Sequence, residues 1–117
     1  MSEPTLRAAE AMRSVAAFPG VTRRTLASGD RLTLVQIDIE AGAVVPEHVH
    51  PHEQAGTVVA GRILLRVGPA GSSEREVAHG GAYLIPGDLP HEVRALEPAR
   101  LIEVFAPVRE EFAHDYD

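Results

Sequence analysis

The strongest constraint on the fold is a series of short segments with period-two hydrophobicity, separated by Gly- and Pro-containing turns. In residues 33–39, Thr or aliphatic side chains fall on every second position, and Ala41-Gly42 then ends the run. Alternation of this kind is typical of half-buried β-strands. The pattern predicts an all-β sandwich or barrel. Further strands are predicted over 57–60, 63–67, 74–77, 82–85, 92–95 and 100–105.

The chain length of 117 residues predicts a single domain with one core. We assign residues 31–112 to the barrel, residues 1–30 to an N-terminal arm and residues 113–117 to a C-terminal tail. Pro4 to Ala17 is rich in Ala, Arg, Glu and Met and is interpreted as weakly helical or as an arm, before a break at Phe18-Pro19-Gly20. The acidic end from Arg109 to Asp117 is expected to form a short helical turn or to fray.

Composition limits the classes of function that the chain could have. The chain has no cysteine, so a metal would have to be bound by nitrogen and oxygen atoms. A net charge of -6 without a basic cluster argues against nucleic acid as a partner, and no apolar run approaches the roughly 20 residues of a membrane helix. We therefore expect a cytoplasmic protein with no membrane or nucleic-acid partner, and a small anionic substrate would require local positive charge.

The spacing of the histidines indicates a possible metal site. His48 and His50 are two residues apart, so in an extended strand both imidazoles point to one side and could chelate an ion. Gln54 could add an amide oxygen, and His91 would have to come from a distant strand. These four side chains are the predicted ligands of one divalent transition metal, with Zn, Ni, Fe and Mn all compatible.

Two alternatives stay open at the predicted metal site. Gln54 could form a hydrogen bond to a ligand histidine or a bound water instead of binding the ion. His52 shares the strand phase of His50 and could replace Gln54, although Pro51 is expected to break that phase.

The two histidine segments resemble the two motifs of the cupin superfamily in spacing and content. The resemblance implies a cupin double-stranded β-helix, or jelly-roll barrel, with the metal in its mouth and a homodimer as the expected assembly. This sequence departs from the family pattern at Gln54, which replaces a glutamate, and at Asp88, which replaces a glycine. The first motif corresponds to Gly42, His48, His50, Gln54 and Gly61, and the second to Gly80, Pro86 and His91.

A narrower resemblance is to the small cupins of pectin and alginate breakdown, which open cyclic unsaturated uronates to linear keto acids. It is carried by residues 50–54 (HPHEQ) and 102–112 (IEVFAPVREEF). The family's aspartate, phenylalanine and arginine on the last strand correspond to Glu103, Phe105 and Arg109, so Glu103 is one methylene longer. These three are the candidate catalytic residues.

Sequence leaves the orientation of these residues open. Glu103 and Phe105 share one face of a predicted strand, and that face could point into the barrel or toward solvent. Arg109 could bind a substrate carboxylate in bidentate fashion, or pair with Glu110, Glu111 or Asp115 in the tail.

The resulting hypothesis is a metal-dependent isomerase or lyase acting on a small carboxylate-bearing, sugar-derived substrate, most concretely a 4,5-unsaturated uronate. The alternatives are a non-haem metal dioxygenase, which would use the same histidines, and a non-enzymatic small-molecule-binding cupin with a structural metal.

Overall fold

The computed structural model describes residues 3–116, which form ten β-strands and one short α-helix. Met1 and Ser2 of the predicted arm and Asp117 of the predicted tail lie outside the described residues. No helix in the described range is long and apolar enough to cross a bilayer. The elements are β1 Val15–Phe18, β2 Val21–Ser28, β3 Thr33–Ile39, β4 Val44–His48, β5 Glu53–Ala60, β6 Arg62–Val67, β7 Ser73–Ala78, β8 Ala82–Ile85, β9 His91–Ala95, β10 Ala99–Ala106 and α1 Glu110–Ala113.

The strands form two antiparallel sheets. The larger has the order β1-β2-β3-β10-β5-β8, and the smaller has the order β4-β9-β6-β7. Core side chains come from both sheets, as with Val58 and Leu101 from the larger and Ile63 and Val93 from the smaller. The sheets therefore pack face to face around one apolar core, and the predicted all-β architecture is confirmed.

The N-terminal segment differs from its prediction. Part of the segment interpreted as an arm forms β1 and β2, which pair with each other and, through β2, with β3. Only residues 9–11 form a single helical turn. The inward positions of β2 include Arg23 and Thr25, so polar side chains obscure the period-two pattern there. The sheet thus begins well before the predicted boundary at residue 31.

Elsewhere each predicted strand is present. Two begin one residue earlier than predicted, at Arg62 and His91, and β7 and β10 are longer than predicted by one residue at both ends. The segment predicted over 57–60 begins at Glu53, because Gly56 interrupts its apolar pattern but not its backbone pairing. The strand expected to carry both His48 and His50 ends at His48. The tail forms the short helix α1, one of its two predicted states.

Candidate metal centre

Three histidines meet at one end of the barrel. His48, the last residue of β4, is paired in register with His91, the first residue of β9, and their ring centroids are 4.2 Å apart. The His50 ring lies 5.4 Å from His48 and 4.9 Å from His91. One ring nitrogen from each residue lies within 4.8 Å of those of the other two. The predicted convergence of distant histidines is therefore present.

Close backbone packing between two loops brings His91 toward His50. The Asp88 amide donates to the His50 carbonyl at 2.8 Å. Gly87 lies so close to Pro51 that a Cβ at that position would be 2.2 Å from the Pro51 carbonyl oxygen. Asp88 itself has φ of 64°, a left-handed conformation that aspartate tolerates better than most residues. The departure from glycine at this position is thus accommodated by the backbone.

Backbone carbonyls fix the tautomer of all three rings. The Nδ1 atoms of His48, His50 and His91 lie 2.9, 3.1 and 2.8 Å from the carbonyl oxygens of residues 46, 52 and 89, respectively. A carbonyl oxygen only accepts a hydrogen bond, so each Nδ1 carries the proton. In the neutral ring, Nε2 then presents its lone pair to the cluster. This arrangement is typical of metal-ligating histidines.

Burial keeps these rings neutral. It lowers the pKa of His91 to about 4 and is also the main reason that the pKa values of His48 and His50 lie below the ordinary value. The positive charge of Arg109 lowers all three further. At neutral pH the three Nε2 atoms are therefore available as ligands without first losing a proton.

Gln54 lies directly beside the cluster, with its Oε1 3.1 Å from His50 Nε2. Both atoms are acceptors when the ring proton is on Nδ1, so the contact is repulsive unless a cation lies between them. Two ligand atoms at about 2.1 Å from one metal and at right angles would be about 3 Å apart. The His91 Nε2 is likewise buried with no hydrogen-bond partner among the described residues. These unsatisfied acceptors fit a bound divalent cation.

Glu103 determines which way the Gln54 amide faces. Gln54 Nε2 donates to Glu103 Oε2 at 2.7 Å, so its oxygen must point to His50. Tyr83 donates to the same Glu103 oxygen at 2.6 Å. Two hydrogen bonds therefore tie the phenol and the amide to one carboxylate oxygen, and they keep the Gln54 oxygen facing the His50 ring. Neither bond engages Glu103 Oε1, which stays available to accept or donate a proton.

A glycine makes the Tyr83 contact possible. Gly56 on β5 pairs with Glu103 on β10 on one side and with Tyr83 on β8 on the other. A Cβ on Gly56 would lie 2.5 Å from Tyr83 Cζ, so only glycine lets the phenol cross β5 to reach the carboxylate. Tyr83 was not predicted from the sequence, because its position opposite a glycine becomes visible only when strand register is known.

Glu103 is fully buried, and burial raises its pKa above the ordinary value. The hydrogen bonds from Tyr83 and Gln54, together with the charge of Arg109, offset part of that rise because they stabilise the ionised form. Burial and the adjacent carboxylate also raise the pKa of the Tyr83 phenol. A carboxyl group with a raised pKa beside a cavity is suited to transfer protons near neutral pH.

The cavity next to the histidines has a volume of about 210 Å³ and is lined by Glu103, Phe105 and Arg109, along with His48, Gln54 and His91. Glu103 and Phe105 are 3% and 1% exposed, so their shared strand face points inward. Arg109 lines the cavity and also donates to Glu111 at 2.6 Å, so it takes part in one of the tail ion pairs considered above. Its guanidinium carbon lies 4.8 Å from the Phe105 ring centroid.

His52 does not join the cluster. Its backbone carbonyl accepts the His50 Nδ1 proton, and its ring centroid lies 5.5 Å from that of His50. His52 therefore orients the His50 ring through its backbone carbonyl and does not contribute its imidazole to the cluster.

The fold and site define a class: a small antiparallel β-barrel in which three histidines could hold a metal beside an interior cavity. The cupin domain model matches residues 35–105, and the chain belongs to the cupin family. The predicted cupin jelly-roll fold is thereby confirmed.

Three solved structures of similar fold cover between 74% and 94% of the chain. The structure of KdgF from Halomonas sp. is 29% identical over 87% of this chain and 94% of that one, with a TM-score of 0.80. A Bacillus halodurans protein is 31% identical over 74% and 70% of the two chains, with a TM-score of 0.72. An RmlC-like cupin from Shewanella frigidimarina, 24% identical, shares the fold with a TM-score of 0.86 over 94% and 96%. No match is found among curated proteins.

Proposed function

We propose that this cupin is a metal-dependent isomerase or lyase that converts a small cyclic, unsaturated uronate to its linear keto acid. The observation that carries the proposal is the buried carboxyl of Glu103, which lies on the cavity wall and is linked to the histidine cluster through Gln54. Opening such a ring relocates protons without net oxidation or reduction, so the reaction needs an acid/base group and no redox partner.

The residues that would hold the metal are His48, His50 and His91 through Nε2, with Gln54 through Oε1. When bound, a divalent ion supplies Lewis acidity toward a substrate oxygen, and the neutral Gln54 leaves that centre one charge more positive than a glutamate would. The observed donor set suits Zn, Ni, Fe or Mn.

The other cavity residues have distinct roles in this scheme. Glu103 Oε1 takes or gives the proton, while its Oε2 is held by two hydrogen bonds and keeps the group in place. Arg109 binds the substrate carboxylate through the guanidinium nitrogens that Glu111 does not engage. Phe105 forms an apolar wall that excludes water from the reacting atoms.

The test is Glu103→Gln. Glutamine keeps an oxygen that can accept from Tyr83 and Gln54, so the metal should stay bound while proton transfer is lost. We expect the fall in ultraviolet absorbance of a 4,5-unsaturated uronate, which the wild type catalyses, to disappear in this variant, with unchanged metal content. Unchanged turnover in Glu103→Gln would refute the role of this carboxyl group. Oxygen uptake by iron-loaded wild type without uronate conversion would instead support the dioxygenase alternative.

A further inference from the structure

We propose that Arg23 is a second anion-binding arginine of the cavity, which acts together with Arg109 on the carboxylate of a small oxygen-rich acid. This inference rests on the proposed function for its choice of ligand. Arg23 lines the same cavity as the histidines and Glu103. It lies on β2, within the segment whose strand character sequence analysis did not detect.

The position of Arg23 is unusual for a charged residue. It lies between Val21 and Thr25 on alternate positions of β2, and these two neighbours are 2% and 0% exposed. Period-two geometry therefore directs Arg23 to the inner face of the barrel. Its side chain is 18% exposed. Placing a guanidinium on a core-facing position has a desolvation cost that an ionic or hydrogen-bonding role must offset.

Contacts within the protein satisfy only some of the hydrogen-bond donors of the Arg23 guanidinium. Its Nη2 donates to Asp115 at 2.6 Å, and the same carboxylate also pairs with Arg13 at 3.1 Å. The Arg23 Nε is buried and finds no acceptor within residues 3–116. A buried N–H without an acceptor is costly, and a ligand oxygen at this point would satisfy it.

Arg23 and Arg109 are held close together by one aromatic ring. The Phe112 ring centroid lies 4.5 Å from the Arg23 guanidinium carbon and 4.0 Å from that of Arg109. Phe112 also lines the cavity, and its carbonyl accepts a hydrogen bond from the Thr25 hydroxyl at 2.7 Å, which anchors α1 over the barrel. Two guanidinium groups therefore line one side of the cavity, and the N–H donors that their carboxylate partners leave unused suit an anionic ligand.

The contacts already made indicate which donors remain for a ligand. Arg109 uses Nε for Glu111, so its terminal nitrogens are the ones left, whereas Arg23 uses a terminal nitrogen for Asp115 and keeps Nε. A carboxylate has two oxygens and can accept from both groups at once. The pair thus favours carboxylates over neutral sugars of the same size.

The experiment measures binding without turnover. Zinc-loaded protein is titrated calorimetrically with galacturonate and, separately, with its uncharged methyl ester. We expect the wild type to prefer the acid and Arg23→Gln to weaken acid binding by about tenfold or more, with little effect on the ester. Arg24→Gln is the matched control, because Arg24 is adjacent on β2 but on the opposite phase.

A second variant separates ligand binding from a purely structural tie between β2 and the tail. Asp115→Asn removes the ionic partner of Arg23 and leaves the arginine in place. We expect this variant to bind galacturonate at least half as well as wild type. The inference is overturned if Asp115→Asn weakens binding as much as Arg23→Gln, if Arg23→Gln binds like wild type, or if the wild type does not distinguish acid from ester.

The outcome is separable from that of the proposed function. Arg23-dependent galacturonate binding in a protein that converts no unsaturated uronate would retain this inference and refute the proposed reaction. Conversion of an unsaturated uronate by the wild type, together with galacturonate binding that Arg23→Gln leaves unchanged, would support the proposed reaction and refute this inference.

Discussion

The hydrogen bond from Tyr83 to Glu103 allows a quantitative test of the buried acid. Tyr83→Phe removes only the phenolic oxygen, which donates to the carboxylate at 2.6 Å. Hydrogen bonds to charged groups contribute about 1.5–3 kcal/mol, so at pH 8 we expect the free energy of unfolding to fall by that amount. For a domain of this size, the loss corresponds to roughly 5–15 °C in Tm.

The loss should depend on pH, and its sign follows from the raised pKa of Glu103. The folded protein binds this proton more tightly than the unfolded chain does, so the group's contribution to stability is greatest below the ordinary carboxyl pKa. That contribution is lost as the pH rises through the folded value. The Tyr83 bond favours the ionised form, so its removal raises the pKa of Glu103 further. The destabilisation by Tyr83→Phe should therefore be larger at pH 8 than at pH 5.

The assay is urea unfolding of metal-free wild type and Tyr83→Phe at both pH values. Histidine titration affects both proteins alike and cancels in the difference between them. The control is Tyr116→Phe, which removes an exposed hydrogen bond to Thr5 and should cost well under 1 kcal/mol at either pH. Equal destabilisation of Tyr83→Phe at pH 5 and pH 8, or a loss no larger than that of the control, would refute the argument.

Three further predictions concern the metal centre. Gly87→Ala introduces a Cβ against Pro51, so we expect it to destabilise the fold by about 1–3 kcal/mol and to weaken zinc binding in a chelator competition. The control is Gly29→Ala, which should do neither because a Cβ there meets nothing within 4 Å. Because burial lowers the pKa of His91 to about 4, zinc affinity should fall less between pH 7 and pH 5 than it would for a site of ordinary histidines; a loss typical of groups with a pKa near 6.5 would contradict the neutral-ring argument. Gln54→Glu places a second carboxyl group beside that of Glu103, and two adjacent carboxylates disfavour the ionisation of both. We therefore expect potentiometric titration of the metal-free variant to show one additional proton bound near neutral pH, and zinc binding to release it.

Much of the site was predictable because its residues are set by local spacing. The interval between His48 and His50, and the Pro-Gly-containing loop before His91, carry the family pattern without any knowledge of strand pairing. Period two also predicted that Glu103 and Phe105 share a face, although only packing shows that this face is the inner one. The Arg109 alternatives were not exclusive, since the residue lines the cavity and pairs with Glu111.

What sequence missed depends on contacts between strands. Tyr83 reaches Glu103 only because Gly56 lies between them on the intervening strand, and register of this kind cannot be read from one segment alone. Arg23 was missed for a different reason. A polar residue on an inward position weakens the alternation that identifies a strand, so the feature that makes Arg23 functionally interesting also concealed β2.

The most direct test of the central claim is anomalous diffraction from crystals grown with zinc. We predict one strong peak within bonding distance of the Nε2 atoms of His48, His50 and His91, with the Gln54 amide oxygen in the same coordination shell. Zinc bound through an Nδ1 atom, bound by His52 in place of Gln54, or absent from this cluster would contradict it.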